Sequence, residues 1–394
     1  MVLWLACLLA PAPASAQTMA QALDQAWSRH PRALAAAALQ DEADARSEAA
    51  RRLTPGPASL SLGSTSDRFH GNQGQREWEA ELAMPLWLPG QRAIQATEAA
   101  GAQAEVAAQR ALVRLQLAGE VRTAWWTLAS ARQAAAVAAR RLESSQALLA
   151  DVQRRHRAGE LARIDANLAH GELLAAQGAL ADAQASVQQA ERDYLMLTGH
   201  QAPQQLNSEQ ATDRQAPPPD HPLLDAARAS VERARARLQW ASASRRAPPE
   251  LALRMVRDRG AAGLPYNHTV GIKLTLPLSS SPQVRQAEAA ALAALNEAEA
   301  EQEQTQRRLA LATDKARSEL QTAAQQLSRA GERLALDTDT LRLAEKSFAL
   351  GETSLATLLR ARTAALESEA LVGQQQIALA AARSRWNQTI GELP

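Results

Sequence analysis

The sequence repeats itself at a single offset of 192 residues. Pro85 in Ala83-Met84-Pro85-Leu86 recurs as Pro277 in Leu276-Pro277-Leu278, and Arg141-Leu142 recurs as Arg333-Leu334. Gly159-Glu160 recurs as Gly351-Glu352, and Tyr194 to Gly199 aligns with Trp386 to Gly391, all without a gap. Alanine-rich helices align by chance, but prolines and glycines seldom do, so the agreement marks a duplication. Only near the starts, where His30-Pro31 matches His221-Pro222, is a one-residue slip needed. The expected organisation is a leader at 1–16, a first repeat at 17–199, a linker at 200–220 carrying Pro203 and Pro217-Pro218-Pro219, and a second repeat at 221–394.

Each repeat has the order helix, strand, strand, long helix, tight turn, helix. In the first, Pro31 to Leu53 reads as helix, with Pro31 suited to the first turn. Ala58 to Ser64 alternates apolar and small polar residues. After a polar loop from Asp67 to Gly74, Trp78, Ala80, Leu82, Met84 and Leu86 alternate with Glu77, Glu79, Glu81 and Ala83. The second repeat offers Leu251, Leu253 and Met255, then Val270, Ile272, Leu274, Leu276 and Leu278, against partners such as Arg254 and Lys273. A period of two in four separate segments is the signature of half-buried strands.

The remaining segments have a different period. Leu320, Leu327, Leu334, Leu341 and Phe348 fall seven apart, and the first repeat answers with Leu128, Ala135, Leu142, Leu149 and His156. A sustained seven-residue repeat means coiled-coil packing. Gln91 to Ala158 as one helix would run about 100 Å at 1.5 Å per residue, with a return helix from Leu161 to Leu197. Only 3% of residues are aromatic, and alanine dominates the 46% that are hydrophobic, which suits thin, closely packed helices rather than a thick core.

At the N-terminus an apolar run, Val2 to Leu9, precedes Ala14-Ser15-Ala16, which fits a signal-peptidase site with cleavage after Ala16. Cys7, the single cysteine, lies inside this leader, so the mature chain has no thiol chemistry. Lipidation of Cys7 would call for a leucine three residues earlier, where Trp4 stands. Beyond the leader no uninterrupted apolar stretch reaches the roughly 20 residues of a membrane-spanning helix. Any entry into a bilayer must therefore be made by strands, and strands in lipid must close into a barrel without edges. Four per chain are too few, since the smallest bacterial barrels have about eight, so several copies must combine. The lipid-facing set is Leu60, Leu62, Trp78, Leu82, Met84, Leu251, Leu253, Ile272, Leu274 and Leu276, while Glu79 and Lys273 belong to a wet interior. Trp78, Trp87 and Tyr266 stand near strand ends, where interfacial aromatics belong.

Enzymatic chemistry finds no foothold. The histidines at 30, 70, 156, 170, 200, 221 and 268 form no pair at i and i+4, and neither a phosphate-binding glycine loop nor a G-x-S-x-G motif occurs. No cofactor and no resident metal are expected. With 43 basic and 42 acidic residues, no global field favours nucleic acid.

Taken together, the sequence resembles the TolC-like outer-membrane efflux proteins over essentially the whole mature chain. The resemblance rests on the duplication, on the hairpin tips Arg154 to Glu160 and Ser347 to Leu355, and on Pro85-Leu86-Trp87-Leu88-Pro89-Gly90-Gln91-Arg92 at a strand exit. That last stretch, with Leu276-Pro277-Leu278 in the second repeat, is most similar to the branch serving cobalt, zinc and cadmium or copper efflux. The resemblance implies an α+β membrane protein: a homotrimer with a twelve-stranded outer-membrane barrel and a long coiled-coil helical tunnel in the periplasm. It also implies a periplasmic adaptor protein and an inner-membrane pump of the resistance, nodulation and division type as partners. Adaptor docking falls to Gly159, Glu160, Leu161, Gly351, Glu352 and Thr353. An exit duct for drugs or for type I protein secretion is the main rival within this class, and a periplasmic coiled-coil scaffold is the rival outside it.

Overall fold

The computed structural model describes residues 18–278 and 281–394. The leader at 1–16, with Cys7, lies outside the described residues. The chain runs α1 (Met19–Arg29), α2 (Pro31–Arg51), β1 (Ser59–Ser66), β2 (Arg76–Pro85), α3 (Gln91–Arg157) and α4 (Arg163–Thr198). It continues with α5 (Pro222–Ala243), β3 (Glu250–Arg259), β4 (Asn267–Thr275), α6 (Ser281–Ala349) and α7 (Leu355–Ile390). The ends of α3 and α6, and both bounds of α4 and α7, are 192 residues apart; α2 and α5, like β1 and β3, start 191 apart.

Several boundaries differ from the expected ones. α2 stops at Arg51 rather than Leu53, because Thr54 and Pro55 follow and the residue before a proline avoids helical torsions. α4 begins at Arg163 rather than Leu161, since Leu161 and Ala162 belong to the turn. Leu276 follows the last residue of β4, so it continues the apolar alternation outside the strand. α1 is an element that periodicity did not single out. Its N-terminus is closed by a capping box, with the Thr18 hydroxyl accepting from Gln21 N at 3.3 Å and Gln21 Oε1 accepting from Thr18 N at 3.0 Å.

The chain divides into two compact units. One consists of residues 34–112 and 222–308 and carries the sheet, whose strand order is β1-β2-β3-β4 with every neighbour antiparallel. The two hairpins, one from each repeat, are thus joined through β2 and β3. Beside the sheet, the helices of this unit are tied by polar contacts: Arg233 on α5 pairs with Glu105 on α3, and Gln103 donates to Asp44 on α2 at 2.6 Å.

The other unit consists of the chain up to Ala33, 113–221 and 309–394. Its largest core packs Met19, Ala22, Leu23 and Ala26 of α1 against Leu117, Ala118, Val121 and Trp125 of α3 and Tyr194 of α4. Trp125 and Tyr194 are fully buried with ring centroids 6.3 Å apart, an arrangement worth about 1 kcal/mol beyond area burial. Burial also pushes the Tyr194 hydroxyl up to about 12. The heptad row on α6 is half-buried at Leu320, Leu327, Leu334 and Leu341, and the neighbouring row Ala316, Ala323 and Ala330 is buried. These two rows are the a and d positions of a seam whose alanines permit close approach. On the same helix, a short hydrogen bond from Ser368 of α7 and the nearby Arg333 guanidinium lower the Asp337 pKa from the usual carboxylate value.

Candidate functional site: hairpin tips and four-stranded sheet

The tips are built by helix endings. α3 ends in a Schellman arrangement in which Gly159 N donates to His156 O at 3.0 Å and Glu160 N donates to Arg155 O at 2.9 Å. α6 ends the same way, with Gly351 N to Phe348 O at 3.1 Å and Glu352 N to Ser347 O at 3.0 Å. Both glycines are left-handed, with φ of +82° and +75°. A Cβ added at either would meet nothing within 4 Å, so glycine is required for its torsion and not for space.

Around these turns the two tips differ. Arg155 pairs with Glu160 at 3.2 Å, whereas Ser347 Oγ donates to Glu352 at 3.4 Å. α7 is capped by Ser354, which accepts from Thr357 N at 3.4 Å. In α4 the capping position is Ala162, and Asp165 reaches back to accept from Ala162 N at 3.2 Å. The Asp165 carboxylate, which has no charged counterpart at Thr357, is thereby committed to its own helix. Leu161 is half-buried against a core of Leu148, Val152, Ala169, Phe348, Leu355 and Leu358. The structure thus brings together Leu161 from one tip and Phe348 from the other. Glu160 and Glu352 are exposed, Gly159 and Gly351 lie at the surface, and Thr353 buries a hydroxyl that makes no hydrogen bond.

The sheet sorts its side chains by register. Leu60, Leu82, Leu253 and Ile272 form one cross-strand row, Leu62, Ala80, Met255 and Val270 the next, and Met84, Leu251 and Leu274 a third. All three rows lie on one face, because residues of the same parity along paired strands share a face. Of the expected lipid-facing set, Leu251 is half-buried and the others are exposed, including Trp78 and Leu276. The opposite face carries Glu77, Glu79 and Glu81, paired with Arg254 and Lys273. Arg254 approaches Glu79 at 2.5 Å and Lys273 approaches Glu81 at 3.4 Å. These partly exposed pairs fix register more than they add stability. The outer edges of β1 and β4 pair with nothing among the described residues, although every residue of both strands is exposed.

One feature of the larger site was invisible to periodicity. Arg122, with a side chain 4% exposed, donates to both carboxylate oxygens of Glu209, to Gln388 Oε1 at 2.5 Å and to Glu392 O at 3.0 Å. Beside it, the Trp125 indole N–H donates to Asn207 O at 3.2 Å, and Arg132 donates to Pro203 O at 2.5 Å. Together they fasten the Pro-rich segment 200–220 to α3. The only sequence signal was an arginine on an otherwise apolar helical face. Among the described residues no three His, Cys, Asp or Glu side chains gather in a metal-binding arrangement, and no helix is long and apolar enough to cross a membrane.

A mostly helical chain carrying one four-stranded antiparallel sheet, apolar on one face and unpaired at both edges among the described residues, defines the class: this is the TolC-like channel fold. Residues 220–392 match the family model described as "Outer membrane efflux protein". Among solved structures, the outer membrane protein VceC of Vibrio cholerae superposes with a TM-score of 0.75 at 16% identity, covering 95% of this chain and 96% of that one. CusC, described as forming a transmembrane channel, gives 0.78 at 16% identity over 95% and 92% of the two chains. The MtrE outer membrane channel of Neisseria gonorrhoeae gives 0.75 at 16% identity over 95% and 89%. No curated protein matches the chain by sequence.

Proposed function

We propose that this protein is the outer-membrane channel subunit of a tripartite efflux system. The observation that carries the reading is the sheet: it has one apolar, exposed face and two unpaired edges in the same four strands. In water such an edge invites aggregation, and in lipid its unpaired N–H and C=O groups are prohibitively costly. Pairing β1 of one copy with β4 of the next removes both edges, and three copies give a closed barrel of about twelve strands, within the size range of such barrels. The apolar rows then face lipid, and the Glu79–Arg254 and Glu81–Lys273 pairs line the lumen. The tips at Gly159-Glu160-Leu161 and Gly351-Glu352-Thr353 receive a periplasmic adaptor, which links the duct to an inner-membrane pump. The duct itself is passive.

The test is membrane fractionation of the full chain followed by electrophoresis with and without heating. A heat-dissociable trimer in the outer-membrane fraction is expected, and a folded monomer in the soluble periplasm overturns the reading. For cargo we propose heavy-metal cations, supported by the similarity of Pro85 to Arg92 to the metal-efflux branch. Deleting the gene should then raise sensitivity to cobalt, zinc, cadmium or copper salts. Sensitivity to hydrophobic drugs alone would assign the duct to drug efflux.

A further inference from the structure

Above the apolar rows, the membrane-facing side of the sheet changes character abruptly. The next row is Ser64, Trp78, Arg257 and His268, and the row after it is Ser66, Arg76 and Arg259. Parity places Arg76, Arg257 and Arg259 on the same face as Leu82 and Leu253 rather than on the face of Glu79. Arg76 lies six residues along β2 from Leu82, about 20 Å, and so beyond the apolar band. The β1–β2 and β3–β4 loops lie at this end of the strands, opposite the end where the helices enter and leave.

None of the three arginines has a carboxylate within ion-pairing distance among the described residues, although Glu77 and Asp258 occupy the same level on the opposite face. The guanidinium of Arg257 lies 4.3 Å from the centroid of the Tyr266 ring and that of Arg259 lies 5.1 Å from it. Arg259 also donates to Gly74 O at 3.1 Å. A guanidinium stacked on a ring keeps its N–H edge free while losing rotational freedom, so it is pre-organised for a planar or tetrahedral anion. Arg76 and Arg257 are exposed, and Trp78 beside them marks the boundary between hydrocarbon and headgroup.

We propose that Arg76, Arg257 and Arg259 bind the phosphate groups of a phosphorylated glycolipid in the outer leaflet. The proposal rests on the reading of the sheet as an outer-membrane barrel, which places the loops outward. Lipid is the occupant because the basic rows continue the lipid-facing rows without a break and point away from the lumen. An anion in transit through the duct would meet the opposite face, where the carboxylates lie. The site anchors the height of the barrel in the bilayer, with Trp78 at the interface, Arg257 level with it and Arg76 and Arg259 in the row beyond.

The experiment uses the full chain purified as its oligomer, with native mass spectrometry to count retained lipid. Three probes are added in turn: lipopolysaccharide, the same glycolipid after dephosphorylation, and inorganic phosphate. The wild type should retain the phosphorylated glycolipid on the order of tenfold more tightly than the dephosphorylated form. The Arg76→Gln, Arg257→Gln double variant should lose that preference, whereas Glu77→Gln, at the same level on the lumen face, should keep it. Arg259 is left in place because it also holds Gly74. Equal retention of the two glycolipids by the wild type, or an unchanged preference in the double variant, overturns the proposal. Inorganic phosphate competing as well as the glycolipid overturns the lipid assignment in favour of a general anion site. Should the double variant fail to assemble, the wild-type comparison still decides. A protein found outside the outer membrane would instead refute the channel reading itself.

Discussion

The guanidinium of Arg155 lies 4.8 Å from the centroid of the Phe348 ring, so the end of α3 is clasped to the end of α6 across the two repeats. The contact is possible only because the repeats have diverged: Phe348 occupies the position of His156, and Arg155 that of Ser347. A cation on an aromatic face contributes about 0.5–2 kcal/mol, depending on how dry the site is. A double-mutant cycle of Arg155→Ala and Phe348→Ala, read by thermal unfolding, should give a coupling energy in that range. Amide exchange at residues 155–163 should quicken in both single variants. A coupling indistinguishable from zero would mean that the tips do not hold one another.

Gly159→Val and Gly351→Val should each cost about 1–2 kcal/mol, the penalty for a side chain forced into left-handed torsions. The open space around both glycines predicts no further steric cost. If the turns dock an adaptor, the double variant should assemble at normal yield in the outer membrane and yet lose efflux-dependent resistance. Full resistance at full yield would leave these glycines as turn residues only.

Removing the charge of Arg122 strands Glu209 in a site where its side chain is only 12% exposed. Arg122→Met should destabilise the protein by about 3–5 kcal/mol, mostly through that uncompensated carboxylate. Adding Glu209→Leu should recover a large part of the loss. Chemical denaturation of the single and double variants distinguishes this from simple loss of packing, in which the second substitution would make matters worse.

On the sheet, Leu82→Arg should cost about 2–4 kcal/mol if Leu82 lies near the bilayer midplane. Lys273→Arg preserves the pairing with Glu81 and should be close to neutral. Glu79→Arg is a different matter, since it would set a second cation beside Arg254 and break the closest ion pair of that face. Its place on the polar face alone does not make Glu79 replaceable. Folding yields in vesicles for the three variants should rank Lys273→Arg highest.

Tyr194 gives a pH dependence on the alkaline side. Its hydroxyl, pushed up to about 12 from 10.0 by burial, stays protonated in the folded chain while the unfolded chain begins to ionise. The stabilisation is complete below pH 10 and is lost as pH rises from there towards 12. Tyr194→Phe should flatten this alkaline limb while leaving neutral stability nearly unchanged, because the hydroxyl makes no hydrogen bond. An unaltered limb in a pH titration of unfolding would show that other groups govern it.

The long helices, the four strands and the turns at Gly159 and Gly351 were legible in the sequence because each depends on neighbours along the chain. Helix and strand periods are properties of local backbone geometry, and a left-handed turn demands glycine wherever it occurs. The Leu82 and Leu274 faces were legible for the same reason: alternation alone assigns side. What only the tertiary structure decided is who meets whom. The joining of β2 to β3 depends on two hairpins about 190 residues apart in sequence, and no local signal specifies that pairing. Arg122 finding Glu209 and Gln388, Arg155 finding Phe348, and Arg76 falling opposite Arg259 are likewise pairings of distant segments. Their energies depend on burial and approach in three dimensions, which a one-dimensional pattern of apolar and polar residues does not encode.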